Sequence, residues 1–311
     1  MEKTSRIYIA GSSGLVGTTL ANRLHCIGYT NLITKTHSEL DLVRQVDVEA
    51  FFESEKPEYV FLLASNIGSL IDNLERPAPY LYENTAIESN VIHSAHMYGA
   101  KKLLFVSSSW VYPRDVRFPT KETELFTSEF DPSNEPYGLA KAVGIKLCEY
   151  YSRQYNDDFI SCILGNIYGS SHDTKQNFIT MMFEKFTKAV ETGVVEIWGT
   201  GKPTREFLHI DDCVEALIFL VQYYSSPYPI NIGTGEEVSI NDVIRILSEL
   251  FAFNGQLVYD TLKPDGAPRR LLDSSKLFEL GWKPMINLRD GLYRVYEQIL
   301  AEGRNNVDSN N

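Results

Sequence analysis

The sequence predicts an α/β fold: a doubly wound parallel sheet accompanied by a smaller α/β unit. Three observations lead there. Short apolar runs alternate with amphipathic helical patterns, a glycine-rich turn directly follows the first of these runs, and the alternation breaks after Asn166-Ile167-Tyr168-Gly169. At 311 residues the chain can bury a sizeable core, and its length alone suggests about two domains.

Arg6-Ile7-Tyr8-Ile9-Ala10 reads as a buried first strand that runs into Gly11-Ser12-Ser13-Gly14-Leu15-Val16-Gly17 and then into a helical pattern marked by Leu20 and Leu24. Such glycines let the backbone turn tightly and approach a pyrophosphate at a helix N-terminus, where unpaired N–H groups and the helix dipole favour anions. The second strand ends in Leu32-Ile33-Thr34-Lys35-Thr36-His37. At this point an acid would hold the ribose 2′-hydroxyl of NAD, whereas a basic group accommodates a 2′-phosphate. No acid stands before Glu39, so NADPH is favoured over NADH, with Lys35 as the leading contact and His37 and Ser13 as lesser ones. Further strands are expected at residues 59–63, 102–107 and 159–164, and long helices at 85–98 and 136–154. Residues 1–169, to which the chain returns at about 206–235, form the expected cofactor domain. Residues 170–205 and 236–311 form the expected substrate domain, with the active site in the cleft between them.

The chemistry centres on Glu135-Pro136-Tyr137-Gly138-Leu139-Ala140-Lys141, which follows a triple serine, Ser107 to Ser109, at the end of a strand. Residues four apart on a helix share a face, and Pro136 suits a first turn because its missing N–H would have no partner there. A phenol is a poor acid or base near neutrality unless a cation stabilises its phenolate, and Lys141 is placed to do so. A serine hydroxyl beside the phenol can hold a carbonyl oxygen, which fits proton transfer coupled to hydride movement.

In the order Gly11-x-x-Gly14-x-x-Gly17, Ser108, Tyr137-x-x-x-Lys141, the chain resembles the extended short-chain dehydrogenase/reductases that act on nucleotide sugars, with a Rossmann fold. Its segments Asn90-Val91-Ile92-His93-Ser94-Ala95, Trp198-Gly199-Thr200-Gly201, Arg205-Glu206-Phe207-Leu208-His209 and Lys263-Pro264-Asp265-Gly266-Ala267-Pro268-Arg269 resemble the GDP-L-fucose synthase branch, whose members are 3,5-epimerases and 4-reductases. The resemblance implies Ser108, Tyr137 and Lys141 as catalytic residues. It also implies cofactor contacts from Gly11, Ser13, Gly14, Leu15, Val16, Gly17, Lys35, Asp41, Leu42 and Ala64, together with Tyr137 and Lys141. Substrate contacts are implied at Ser109, Trp110, Asn166, Asn177, Lys185, Trp198, Arg205, Lys263 and Arg269, where cationic side chains would grip a diphosphate. Asp211 and Asp212, beside His209, are read as structural groups at a hydrogen-bonded junction. By analogy the two long helices would pair across a two-fold axis in a homodimer.

Two departures from that branch matter. Epimerising members carry a cysteine after the serine pair and a histidine in the segment after Asn-x-Tyr-Gly. This chain has Trp110 and, at the place the resemblance implies for the histidine, Asn177 instead, with His172 close by. Neither an indole nor an amide abstracts a carbon-bound proton. The leading expectation is therefore an NADPH-dependent C4-keto reductase of a GDP-linked 4-keto-6-deoxy hexose or heptose, with epimerase activity weak or absent. A complete GDP-L-fucose synthase and a non-catalytic nucleotide-binding protein are the alternatives.

Composition bounds the partners. With 41 acids against 29 bases the net charge is −12, which argues against nucleic acid or an anionic membrane surface. The expected setting is cytoplasmic: no apolar run is long enough to span a bilayer, and Met1-Glu2-Lys3-Thr4 leads straight to strand one without a signal peptide. The six histidines show no metal-like cluster, and no metal site is expected. Cys26, Cys148, Cys162 and Cys213 lack C-x-x-C spacing and read as small buried apolar groups in a reducing compartment.

Overall fold

The computed structural model describes residues 1–68, 70–169, 178–263 and 265–308. Strand β1 (Ile7–Ala10) leads into helix α1 (Leu15–Cys26), followed by β2 (Leu32–Thr34), α2 (Gln45–Glu55) and β3 (Tyr59–Leu62). A short α3 (Leu70–Glu75) and a long α4 (Pro77–Met97) precede β4 (Lys102–Ser108), after which α5 (Glu135–Tyr155) returns the chain to β5 (Phe159–Leu164). Beyond the two-residue β6 (Ile167–Tyr168) come α6 (Phe178–Thr192), β7 (Val194–Trp198), β8 (Thr204–Arg205), β9 (Leu208–His209) and α7 (Ile210–Tyr223). The chain ends with β10 (Ile230–Ile232), β11 (Val238–Ser239), α8 (Ile240–Leu250), β12 (Gln256–Asp260), β13 (Arg269–Arg270), α9 (Ser275–Glu279) and α10 (Leu288–Asp308).

The main sheet has the order β10-β5-β4-β3-β1-β2, and its strand pairs are parallel. Its strands are buried on both faces, which is why they read as continuous apolar runs. Ile7, Ile9, Leu104, Val106, Ile160 and Cys162 point to the side covered by α1 and α7. Tyr8, Ala10, Leu103, Phe105, Phe159 and Ile163 point to the side covered by α2, α4 and α5. Alternate residues of one strand thus feed two cores, as the period of two requires. The strand order reverses between β1 and β3, so a crevice opens at their carboxyl ends, the usual ligand position in such sheets.

A third apolar core joins α6, β7, α8 and α10 through Phe183, Phe186, Ile197, Val243, Leu247 and Leu292. Polar contacts help tie it to α7, which covers the main sheet. Asp212 at the start of α7 accepts backbone N–H groups of Met285 (3.0 Å) and Ile286 (2.9 Å), which makes it the structural junction expected of it. The four cysteines are free thiols, and Cys148, Cys162 and Cys213 are buried. Cys26 is exposed at the end of α1, contrary to the reading of all four as buried.

Glu206 makes a second junction. Its buried carboxylate accepts from the N–H groups of Leu272 (2.8 Å) and Thr234 (3.0 Å), tying the segment after β8 to those after β10 and β13. Burial pushes its carboxyl up to about 7, although these N–H groups pull the other way. The folded state therefore holds the proton more tightly than the unfolded chain. Stability from this group is complete below the ordinary carboxyl range and is lost as pH rises through about 7. Between about pH 6 and about pH 8 the parent's Tm should fall. Glu206→Gln should be less stable at the lower pH yet lose less over the interval; parallel slopes in thermal melts would contradict this.

Candidate active site

Gly11 follows β1 with φ +91°, a left-handed conformation that disfavours side chains, and a Cβ there would lie 2.7 Å from the backbone nitrogen of Ala64. The turns after β1 and β3 are thereby pressed together at the switch point. Gly14 is different: a Cβ on it would meet no protein atom nearer than 3.7 Å, so internal packing does not demand that glycine. It caps α1 without a side-chain hydrogen bond, and the first turn of the helix carries no acid. Open backbone N–H groups, a positive helix end and a missing side chain together fit close approach by a phosphate. Leu15 and Val16 are half-buried in the first turn, Gly17 is buried, and Ser13 is exposed.

Lys35 is half-buried just past β2. The first acid after it, Glu39, is already engaged, accepting from the N–H and the hydroxyl of Thr36, both at 2.7 Å. These bonds hold its carboxyl below the ordinary range. Asp41 accepts from Val43 N–H (3.1 Å), and the carbonyl of buried Leu42 is held by Asn90 (2.9 Å).

Tyr137 and Lys141 lie where α5 packs on the end of β4, the strand that Ser108 closes. Ser107 Oγ donates to the Lys141 carbonyl (3.4 Å), and Lys141 Nζ donates to the Val106 carbonyl (3.3 Å). Nζ lies 5.9 Å from the centre of the Tyr137 ring, and the two residues are 2% and 5% exposed. Pro136 occupies the first turn of α5, and Gly138 follows because a Cβ there would collide with the Trp110 carbonyl. Ser108 Oγ accepts from the N–H of Trp110 (3.4 Å), capping the 3-10 turn Ser109–Val111.

Ser109 enters the wall of a cavity of about 750 Å³ that also takes in Arg114, Asp131, Asn166, Arg269 and Arg270. The Trp110 indole is covered by the Arg270 guanidinium, 3.5 Å from its centre, and Arg270 is tied to Asp131 at 3.3 Å. Asn166 also borders a second cavity of about 310 Å³, lined by Lys185, Trp198, Arg205 and the apolar side chains of Phe178 and Met181. Over the Trp198 ring stand Lys185 Nζ (5.5 Å) and Lys263 Nζ (5.4 Å), and Lys185 donates to the Glu196 carbonyl (2.8 Å). Arg269 is the more exposed of the arginine pair and is engaged by Glu237 at 2.6 Å. Asn177 and His172 lie outside the described residues.

β13 pairs in parallel with β8 so that Arg270 and Arg205 are direct partners. Like charges opposite each other on adjacent strands repel. Burial lowers the pKa of Arg205, and burial together with that repulsion brings Arg270 down to about 10 against the pull of Asp131. No carboxylate pairs with Arg205 among the described residues. An anion between the two cavities would relieve this strain.

Sequence reasoning missed Arg270, Asp131 and Glu88. Glu88, on α4, is wholly buried, with Oε1 3.2 Å from Lys141 Nζ. The available signal was an acid on the apolar stripe of Asn84, Glu88, Val91, Ile92 and Ala95. Among the described residues no group of three or more potential metal ligands exists, and no helix is long and apolar enough to cross a membrane.

The chain as a whole is similar to known proteins. The chain is 44% identical over 304 residues to GDP-L-fucose synthase 1 of Arabidopsis thaliana, covering 96% of this chain and 94% of that protein. Among solved structures, the GDP-mannoheptose C4 reductase from Campylobacter jejuni with NADP bound is 39% identical with TM-score 0.87, covering 96% of this chain and 98% of that one. The GDP-6-OMe-4-keto-L-xylo-heptose reductase from C. jejuni is 36% identical with TM-score 0.90, covering 97% and 99%. With the family model matched over residues 7–233, the chain belongs to the NAD dependent epimerase/dehydratase family.

Proposed function

We propose that the protein is an NADPH-dependent reductase of the C4 keto group of a GDP-linked 4-keto-6-deoxy hexose or heptose, with epimerisation weak or absent. The observation that carries this reading is the 3-10 turn Ser109–Val111: beside buried Tyr137 and Lys141 it brings a serine to the cavity and an indole, not a thiol, at the next position. The solved reductases of GDP-heptoses support it, and the NADP in one of them agrees with a Gly14 that internal packing does not demand.

Bound along the crevice between β1 and β3, NADPH would supply the hydride. Gly11, Gly14 and the N-terminus of α1 would hold its pyrophosphate, and Lys35 its 2′-phosphate, with Glu39 occupied by Thr36. Ser108 would hold the substrate carbonyl oxygen, Tyr137 would give that oxygen a proton as the alkoxide forms, and Lys141 would stabilise the phenolate left behind. Arg205 and Arg270 would grip the diphosphate, and the base would lie in the smaller cavity near Trp198, Lys185 and Lys263. A GDP-L-fucose synthase able to epimerise is the second reading, supported by identity to the plant enzyme but opposed by Trp110. Exposed Tyr82, Met97, Leu139 and Tyr150 on α4 and α5 would suit pairing with a second copy of the chain.

Tyr137→Phe should keep the fold and lower kcat for keto-sugar reduction by at least about a hundredfold, since a positioned proton donor usually contributes 10²–10⁴. Unchanged turnover would remove Tyr137 from the mechanism. A separate experiment divides the two readings: incubation with a GDP-4-keto-6-deoxy hexose in deuterated water should leave C3 and C5 protiated by NMR. Rapid deuterium uptake at those carbons would establish epimerisation instead.

A further inference from the structure

Glu88 is a charged group for which the reaction outlined above has no use, yet the surrounding structure is arranged to admit it. It is 0% exposed in the middle of α4, where a carboxylate without a counter-charge would be strongly unfavourable. Its Oε1 lies 3.2 Å from Lys141 Nζ, and the two groups form a buried ion pair. The two helices come close enough because α5 carries Gly144 at the crossing. A Cβ there would lie 2.7 Å from Glu88 Oε2 and would strike the Phe105 ring. A glycine inside a helix costs about 1 kcal/mol relative to alanine, so admitting this carboxylate has a local price in stability. Lys141 itself is held from three sides: the Val106 carbonyl at 3.3 Å, the Phe105 ring centre at 4.8 Å, and Glu88.

We propose that Glu88 is a positioning residue, the fixed counter-ion that balances the Lys141 ammonium and aims it between Tyr137 and the nicotinamide ribose. This rests on the roles given to Tyr137 and Lys141 above. The physical reason is desolvation: an ammonium 2% exposed has lost its water, and an adjoining negative charge offsets that cost. The titratable groups facing Glu88 are Lys141 and, further along α5, the Cys148 thiol; Phe105 faces it from β4. Burial drives the carboxyl upward and Lys141 draws it back, so the pair is most fully formed on the alkaline side. Cys148 is driven far upward by its own burial and stays neutral there.

Glu88→Gln keeps the shape and removes the charge, and Glu88→Asp keeps the charge. NADPH affinity, read from the fluorescence of NADPH itself, and keto-sugar turnover are measured for folded variants at about pH 6.5 and about pH 9. Removing the counter-charge leaves a buried ammonium without its ionic partner, which costs most where the parent's carboxylate is charged, on the alkaline side. For Glu88→Gln, the loss of affinity and turnover relative to the parent should therefore be a few-fold at the lower pH and at least about tenfold at the higher. Glu88→Asp should recover most of it. A loss of the same size at both pH values, with Glu88→Asp no better than Glu88→Gln, would mean that Glu88 only fills space. If Glu88→Gln does not fold, Glu88→Asp decides. Affinity within about threefold of the parent, or a loss that grows with pH, supports the proposal, and a larger pH-independent loss overturns it. Should the parent bind NADPH but reduce no keto sugar, the functional reading fails while the binding arm still tests Glu88.

Discussion

The close packing of α5 against the end of β4 is the constraint on which the site depends. A helix crossing a strand end at ordinary distance would leave Lys141 away from the Val106 carbonyl and the Ser107 hydroxyl. Two glycines remove the obstacle: Gly138 lets the first turn of α5 seat against the Trp110 carbonyl, and Gly144 makes room for Phe105 and Glu88. Lys141 then lies in the sheet–helix interface, bonded to the Val106 carbonyl and paired with a buried carboxylate. A group held from several sides needs little reorganisation when charge develops beside it, which is the usual basis of electrostatic catalysis.

An acidic protein that binds anionic ligands must concentrate its positive potential. Here a net charge of −12 coexists with the uncapped N-terminus of α1 and with the Arg205–Arg270 pair beside the two cavities. The arginines are partners on adjacent short strands, and only Arg270 has a carboxylate, Asp131, among the described residues. Their mutual repulsion is a fold-level expense that a bound diphosphate would offset. Trp110 links the arginines to the end of β4: its backbone N–H caps onto Ser108 while its ring carries Arg270.

Much of the fold was legible because fully buried parallel strands leave continuous apolar runs: β1, β3, β4 and β5 lie almost where Ile7, Tyr59, Lys102 and Phe159 announce them. The glycine turn and the placement of Tyr137 and Lys141 on one helix were legible because each depends on spacing within one element. The two-residue strands β8 and β13 were not, being too short to show a period, and with them went the distinction between Arg269, engaged by Glu237, and Arg270 over Trp110. Glu88 was hidden for another reason. Its partner is distant in sequence and its value depends on a helix crossing, which no local pattern encodes. Cys26 was misread because a cysteine's tendency toward burial says nothing about which turn of a helix faces solvent.

The account stands or falls on hydride delivery to C4 of the sugar. The direct measurement is NMR of the product formed in ordinary water from a GDP-4-keto-6-deoxy sugar and NADPH deuterated at the transferred position of its nicotinamide. The account requires one deuterium, at C4 of the sugar and nowhere else. A product without deuterium at C4, or no consumption of NADPH, would contradict it.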